Sequence, residues 1–137
     1  MSNVYYKLYY HIIWGTKKRG ELIDDDIDEL LKRFVAEKIK KLGGGVLEFN
    51  THINHCHLLV TIPPKLNISE FVGEVKGYSS HEINIRRNEK PIQWQRGYGI
   101  LSSSEKGIPF IKKYIQNQKY HHRNKSTIDI MEFSPEE

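Results

Sequence analysis

The chain has 137 residues, of which 38% are hydrophobic and 28% are charged, and its formal net charge is +4. This composition is that of one globular domain, residues 1–137, long enough to bury a core. A single cysteine excludes a disulfide framework and multi-cysteine zinc modules. The sequence has no long apolar stretch and no signal-peptide pattern, so we expect a cytoplasmic protein without a membrane partner. The positive charge permits a nucleic-acid partner without establishing one.

The first predicted elements are a strand and a helix. Residues 4–14 are rich in tyrosine and isoleucine, which favours a strand. Apolar residues recur at helical spacing over 26–42, with acidic residues first and lysines last, and three glycines end this helix. Between the two elements lies a basic loop that is either a solvated turn or a phosphate contact. The loop consists of Lys17, Lys18 and Arg19.

Residues 46–53 and 57–62 predict an antiparallel hairpin with two histidines at its turn end. Because side chains alternate along a strand, His55 and His57 should point to one face, and Cys56 to the other as a core residue. Two imidazoles on one face can hold a metal ion. Histidines in this pattern are also common on solvated surfaces, so the pair requires a second signal.

A second helix and a last strand follow the hairpin. Asn67 and Glu70 form a capping pair after two prolines. Residues 93–101 predict a strand that is irregular at its glycines. The end of the second helix carries basic and aromatic residues that either contact DNA or form a solvated face. These candidates are Lys76, Tyr78, Arg86 and Arg87.

The last predicted helix carries Tyr114 and Gln118, which share a face because they are four residues apart. Tyr120, the competing nucleophile, lies on a different side of that helix. Residues 126–137 predict a short terminal element or a frayed tail. The order of elements predicts an α+β fold, a ferredoxin-like βαββαβ antiparallel sheet with an additional C-terminal helix that carries the tyrosine.

His55, His57, Tyr114 and Gln118 together suggest phosphoryl chemistry. Two neutral imidazoles and an amide oxygen give a divalent ion three ligands and leave positions open for a phosphate oxygen. A nearby tyrosine could attack that phosphate and form a covalent intermediate. Taken alone, Tyr114 is also compatible with a core tyrosine, and Gln118 with a surface amide.

The sequence resembles the HUH-motif single-tyrosine transposases of small insertion sequences and the related REP-associated tyrosine transposases. The resemblance rests on His55-Cys56-His57 and on Tyr114 with Gln118. Further segments match in the family's order, and the matches cover nearly the whole chain. These segments are 10–19 (YHIIWGTKKR), 63–65 (PPK), 76–80 (KGYSS) and 94–98 (WQRGY).

The resemblance implies that Tyr114 cleaves single-stranded DNA at a hairpin, forming a 5′-phosphotyrosyl link and releasing a 3′-hydroxyl that can rejoin strands. It also implies that His55, His57 and Gln118 bind Mg²⁺ or Mn²⁺, although a His-x-His pair could also take zinc. Either His121 or His122 could approach the metal, but the family pattern gives them no such role, so both are excluded from the predicted site. A homodimer is expected, in which the tyrosine-bearing helix completes its own or its partner's site. Asn54 departs from the family, since many relatives carry Asp there, and a neutral amide would orient a histidine more weakly.

Two other functions are consistent with part of these sequence features. An inactive or domesticated relative would bind structured single-stranded nucleic acid and form no covalent adduct. A metal-dependent phosphodiesterase that uses water as the nucleophile would cleave normally after Tyr114→Phe.

Overall fold

The computed structural model describes residues 3–87 and 91–135, and its strands and helices follow the predicted order. Four strands form one antiparallel sheet in the order β2-β3-β1-β4, which confirms the α+β, ferredoxin-like prediction. The strands are β1 (Tyr9–Gly15), β2 (Gly45–His52), β3 (His55–Thr61) and β4 (Gly99–Ser103). The helices are α1 (Asp25–Lys41), α2 (Ile68–Asn84), α3 (Ile108–Gln116) and α4 (Gln118–Arg123). Short 3-10 turns occur at Lys17–Arg19, Glu105–Gly107 and Asp129–Met131.

The sheet is covered on both faces, and β3 contributes to both. Cys56 and Leu58 belong to the hydrophobic core together with residues of α1 and α2. On the other face, Asn50 of β2 lies opposite His57 in the sheet register, and its Nδ2 donates to the Ile115 carbonyl of α3 at 3.0 Å. The histidine pair therefore faces α3 and α4, away from the main core.

Helices α1 and α2 each begin at a side-chain cap. Asp24 Oδ1 accepts from the Ile27 backbone N–H at 2.8 Å, and Asn67 Oδ1 accepts from that of Glu70 at 3.1 Å. The predicted helix start at Asn67 is confirmed. None of the described helices is long and apolar enough to cross a membrane.

The predicted single C-terminal helix is in fact two helices. Asn117 separates α3 from α4 with φ −101° and ψ 24°. Asn50 Nδ2 donates to the carbonyl groups of Ile115 at 3.0 Å and Gln116 at 3.2 Å. These carbonyls thereby gain partners at a helix end, where backbone acceptors otherwise lack them. Strand β2 thus stabilises the break between the two helices.

The predicted start of β1 at residue 4 is wrong. In the sheet register Tyr9 pairs with Thr61 of β3 and with Ser103 of β4, which are the last residues of those strands. Residues 3–8 therefore have no partner strand among the described residues, and Tyr5 is 85% exposed.

The last strand is β4 at Gly99–Ser103 rather than at residues 93–101, and Lys76 explains the difference. The Lys76 side chain is buried, and its Nζ donates to the carbonyls of Gln95 at 2.7 Å, Arg96 at 3.3 Å and Gly97 at 3.1 Å. Carbonyl groups that all point toward one ammonium cannot also accept hydrogen bonds from a neighbouring strand. Since a lysine ammonium has three donors, Lys76 is a structural residue and not the DNA contact that the sequence predicts.

Lys76→Met should lower the free energy of unfolding by about 2–4 kcal/mol, because it keeps the buried stem but leaves three carbonyls without their charged donor. Urea denaturation followed by circular dichroism measures the change. Lys65→Met, at an exposed lysine, is the matched control and should change the free energy by less than about 0.5 kcal/mol. Equal effects of the two substitutions would contradict the structural role of Lys76.

Candidate active site

The centre of the site is the histidine pair of β3. His55 is 5% exposed, His57 is 0% exposed, and their ring centroids lie 5.1 Å apart. Cys56 points into the core, where burial raises the pKa of its thiol. The alternation predicted for residues 55–57 is thus present, and Cys56 has no access to the site.

The inner nitrogen of each histidine has a partner that orients the ring. His55 Nδ1 lies 2.7 Å from Asn54 Oδ1, and His57 Nδ1 lies 2.9 Å from His11 Nε2. Because an amide oxygen can only accept, His55 carries its proton on Nδ1 and presents a lone pair on Nε2. Asn54 therefore makes the orienting contact despite its neutral amide. His11 is buried, and among the described residues its Nδ1 has no hydrogen-bond partner.

The outer nitrogens of three histidines converge on one oxygen. The Nε2 atoms of His55, His57 and His122 lie 3.2, 3.1 and 3.2 Å from Glu132 Oε1. Each of these four side chains offers one ligand atom, and all four atoms lie within 4.8 Å of one another. We call these residues the histidine–glutamate cluster.

The chemistry of the histidine–glutamate cluster fits a divalent ion. Burial lowers the pKa of His55 and lowers that of His57 to about 4, so both rings are neutral near pH 7. A neutral His55 that donates its proton to Asn54 faces Glu132 with a lone pair, so that two acceptors oppose each other across 3.2 Å. A cation between them removes this repulsion. Imidazole and carboxylate are both common ligands of divalent metals.

Tyr114 reaches the same carboxylate from α3. It is 3% exposed, its hydroxyl donates to Glu132 Oε2, and it accepts from the Ile128 backbone N–H at 2.8 Å. Burial and then the Glu132 hydrogen bond raise the pKa of Tyr114 above its ordinary value. Its ionisation therefore requires a proton acceptor or a nearby cation. Tyr120 is 53% exposed and its ring contacts His121 rather than the histidine pair.

Gln118 contacts two members of the histidine–glutamate cluster, although the helix that carries Tyr114 ends before it. It is fully buried, and its Oε1 lies 3.0 Å from His122 Nε2. Its Nε2 lies 3.3 Å from Glu132 Oε2. The structure thus brings together the four residues predicted for the centre of the site, which are His55, His57, Tyr114 and Gln118.

Two members of the cluster, His122 and Glu132, are not among the residues predicted from the sequence. His122 follows Gln118 by four residues, a spacing that puts both side chains on one helix face, so a sequence signal for it exists. Glu132 has no such signal, because it is one acid in a polar C-terminal segment. This segment is nevertheless packed on the domain, since Met131 and Ser134 are 8% and 4% exposed.

The predicted basic contacts lie on different surfaces. The loop Lys17–Arg19 adjoins the site, because the Thr16 backbone N–H donates to the Asn54 carbonyl at 2.9 Å. Of the predicted contacts, this loop is therefore the one beside the histidines. Tyr78, Arg86 and Arg87 belong to α2 or follow it, on the opposite side of the sheet, and hydrogen-bond with Glu37, Glu82 and Asp24, respectively.

A cavity of about 400 Å³ opens beside the cluster. Its lining includes Arg19, His55, His122 and Glu132. Arg19 is half-buried, and its Nη2 donates to Ser134 Oγ at 2.9 Å. A guanidinium held at the edge of such a cavity favours an anionic ligand such as a phosphate.

Comparison with known proteins places this chain in the class of transposases. A family model described as "Transposase IS200 like" matches residues 4–118. The chain therefore belongs to the IS200-like transposase family, and the resemblance seen in the sequence is confirmed. The matched region ends before His122 and Glu132.

The relatives and structural neighbours agree with this family. The chain is 29% identical over 119 residues to the ISDra2 transposase TnpA of Deinococcus radiodurans, covering 82% of this chain and 85% of the relative. It is 28% identical over 120 residues to the transposase for insertion sequence element IS200 of Salmonella typhimurium, covering 80% and 75%. A crystal structure of a candidate transposase from Deinococcus radiodurans R1 aligns with TM-score 0.70 at 28% identity, covering 86% and 95%. A REP-associated tyrosine transposase bound to a REP hairpin shares the fold, with TM-score 0.65 at 16% identity, covering 89% and 74%.

Acid should destabilise the metal-free protein well above the pH at which carboxylates titrate. Burial lowers the pKa of His11 to about 3 and that of His57 to about 4, whereas both take up protons near pH ~6.5 in the unfolded chain. The unfolded state therefore binds more protons between these values, and stability falls as the pH falls. Urea denaturation in EDTA should show a loss of about 3 kcal/mol from pH 7 to pH 5.

His11→Leu should remove part of this pH dependence, because one buried imidazole is gone while His55 and His57 remain. Equal stability of the wild-type protein at pH 7 and pH 5 would contradict the assignment of neutral, buried rings.

Proposed function

We propose that this chain cleaves and rejoins single-stranded DNA at hairpin-flanked sites through a 5′-phosphotyrosyl intermediate on Tyr114. The main support for the proposal is that Tyr114 and the histidine pair both contact the carboxylate of Glu132. The Tyr114 hydroxyl contacts Oε2, and His55 and His57 contact Oε1. A phosphate that approaches this carboxylate from the adjoining cavity would meet the metal ligands and the nucleophile together. Membership of the IS200-like family supports transposition as the outcome.

In the proposed reaction the Tyr114 oxygen forms a bond to phosphorus and the bond from phosphorus to the 3′-oxygen breaks. The 5′ strand end is then linked to Tyr114, and the other strand end leaves as a 3′-hydroxyl. Glu132 Oε2 already accepts the hydrogen bond of the phenol, so it is positioned to receive the proton. Rejoining is the reverse attack by a 3′-hydroxyl. Because phosphodiester bonds are exchanged, no nucleotide cofactor is required.

A divalent ion, Mg²⁺ or Mn²⁺, held by His55, His57 and Gln118 would polarise the phosphate and stabilise the charge that develops on it. The protein's own contribution is orientation. Asn54 at 2.7 Å and His11 at 2.9 Å engage the inner ring nitrogens of His55 and His57, and thereby direct the outer nitrogens toward the site.

The expected partner is hairpin-forming single-stranded DNA, as one structural neighbour is a REP-associated tyrosine transposase bound to a REP hairpin. Arg19 lines the cavity beside the cluster, and we assign it, with Lys17 and Lys18, to phosphate contacts. We further propose a cytoplasmic homodimer. Within one chain, the Tyr114 hydroxyl contacts the Glu132 carboxylate, and His57 of the same chain contacts that carboxylate too.

The test is a denaturing gel of the protein with labelled single-stranded hairpin DNA from its own genomic flanks, with Mn²⁺ or with EDTA. A covalent protein–DNA adduct should form only with the metal. Tyr114→Phe should reduce it by at least about 1,000-fold, because the attacking atom is removed. Tyr120→Phe is the matched control and should retain the adduct.

Two results would contradict the proposal and indicate different functions. Tight hairpin binding by the wild-type protein without any adduct would indicate a binding protein that has lost the chemistry. Cleavage that continues after Tyr114→Phe would indicate that water is the nucleophile.

A further inference from the structure

We infer that His122 is a third imidazole ligand of the ion, and that the site therefore takes a transition-metal ion in preference to Mg²⁺. The inference rests on the proposed function in one respect, which is that the pair His55 and His57 binds a divalent ion. The family match ends at residue 118 and assigns His122 no role.

The first evidence is that the Nε2 atoms of the three histidines lie at nearly the same distance from Glu132 Oε1. His122 Nε2 lies 3.2 Å from Glu132 Oε1, compared with 3.2 Å for His55 and 3.1 Å for His57. An ion coordinated by imidazole lies about 2.0–2.1 Å from each nitrogen. A point close to Glu132 Oε1 is nearly equidistant from all three nitrogens, so small side-chain shifts would bring them to coordination distance. His122 approaches this point as closely as the two strand histidines do.

The second evidence is the contact between His122 and Gln118. Gln118 Oε1 lies 3.0 Å from His122 Nε2. Two neighbouring ligands of an octahedral ion at about 2.1 Å from the metal are themselves about 3.0 Å apart. Without an ion this contact is a hydrogen bond that His122 Nε2 donates, because an amide oxygen can only accept. An ion would take the place of that proton, and the amide oxygen and the third imidazole would then be adjacent ligands.

The ring of His122 is held in this orientation by its neighbours. It stacks on His52 with ring centroids 4.2 Å apart and an interplanar angle of 6°, and it meets the edge of His55 at 4.8 Å. The adjacent His121 behaves differently. Its Nδ1 lies 2.9 Å from Ser126 Oγ, and it is not a member of the histidine–glutamate cluster. The chain thus offers two neighbouring imidazoles, one directed at the cluster and one that stacks on the Tyr114 ring at 4.6 Å with its Nδ1 facing Ser126.

Three imidazole ligands change the class of ion that the site prefers. Mg²⁺ favours oxygen ligands and keeps much of its water, whereas imidazole suits Zn²⁺ and other late first-row ions such as Co²⁺ and Ni²⁺. A site with His55, His57 and His122 therefore has more nitrogen ligands than Mg²⁺ normally accepts. The expected order of affinity is Zn²⁺ and Co²⁺ well above Mg²⁺.

The test is titration of the metal-free full chain with Co²⁺, followed by its visible absorption, with Mg²⁺ as competitor. The wild-type protein should bind Co²⁺, and an excess of Mg²⁺ should fail to displace it. His122→Ala should weaken Co²⁺ binding by at least about 10-fold, the lower end of the loss seen even for residues that only support a ligand. His121→Ala is the matched control and should leave Co²⁺ affinity unchanged, while His55→Ala should abolish binding.

Each contrary outcome identifies what has failed. If His122→Ala binds Co²⁺ like the wild-type protein while His55→Ala does not, His122 is not a ligand, and the metal site of the proposed function stands. If the wild-type protein binds no Co²⁺, or if Mg²⁺ displaces it, the inference is wrong, and cleavage with Mg²⁺ or Mn²⁺ is then decided by the adduct gel alone. X-ray absorption at the zinc edge of the wild-type protein gives an answer that does not depend on a folded variant, since three imidazoles support the inference and two overturn it.

Discussion

The pairing of β3 on both of its edges is the constraint on which the site depends. β3 pairs with β1 over seven positions of the register and lies next to β2 on its other side. Side chains alternate between the faces of a strand, so this pairing fixes which residues enter the core and which enter the site. A slip of one residue would put Cys56 among the site residues and both imidazoles in the hydrocarbon core. The burial of Leu58 and Val60 opposes such a slip, and thereby holds the histidines on the correct face.

The features predicted correctly from the sequence are those set by local spacing. The side-chain cap at Asn67, and the common face of His55 and His57, follow from residues at most four positions apart. The meeting of Tyr114 with Gln118 also follows from local spacing, although the helix breaks at Asn117. The break could not be anticipated, because the side chain that stabilises it, Asn50, comes from a distant strand.

The features that the sequence did not reveal depend on contacts between distant parts of the chain. Lys76 carries the charge expected of a DNA contact, and only the folded chain shows the three carbonyls that surround its ammonium. Glu132 is one of several acids near the C-terminus, and its role follows from the docking of its segment over β4. Gly99 permits this docking, since a Cβ there would lie 2.0 Å from the Phe133 carbonyl oxygen. A glycine in a strand does not reveal which segment will pass over it.

The site draws its residues from almost the full length of the described chain, from His11 in β1 to Glu132 after α4. Domains fold as the chain is synthesised from its N-terminus, and contacts between distant residues form late. During translation the hairpin that bears His55 and His57 therefore emerges well before Tyr114, and Tyr114 emerges before Glu132. A nascent chain on the ribosome thus lacks the complete set of site residues, and the carboxylate that joins the tyrosine to the histidines is the last to be added.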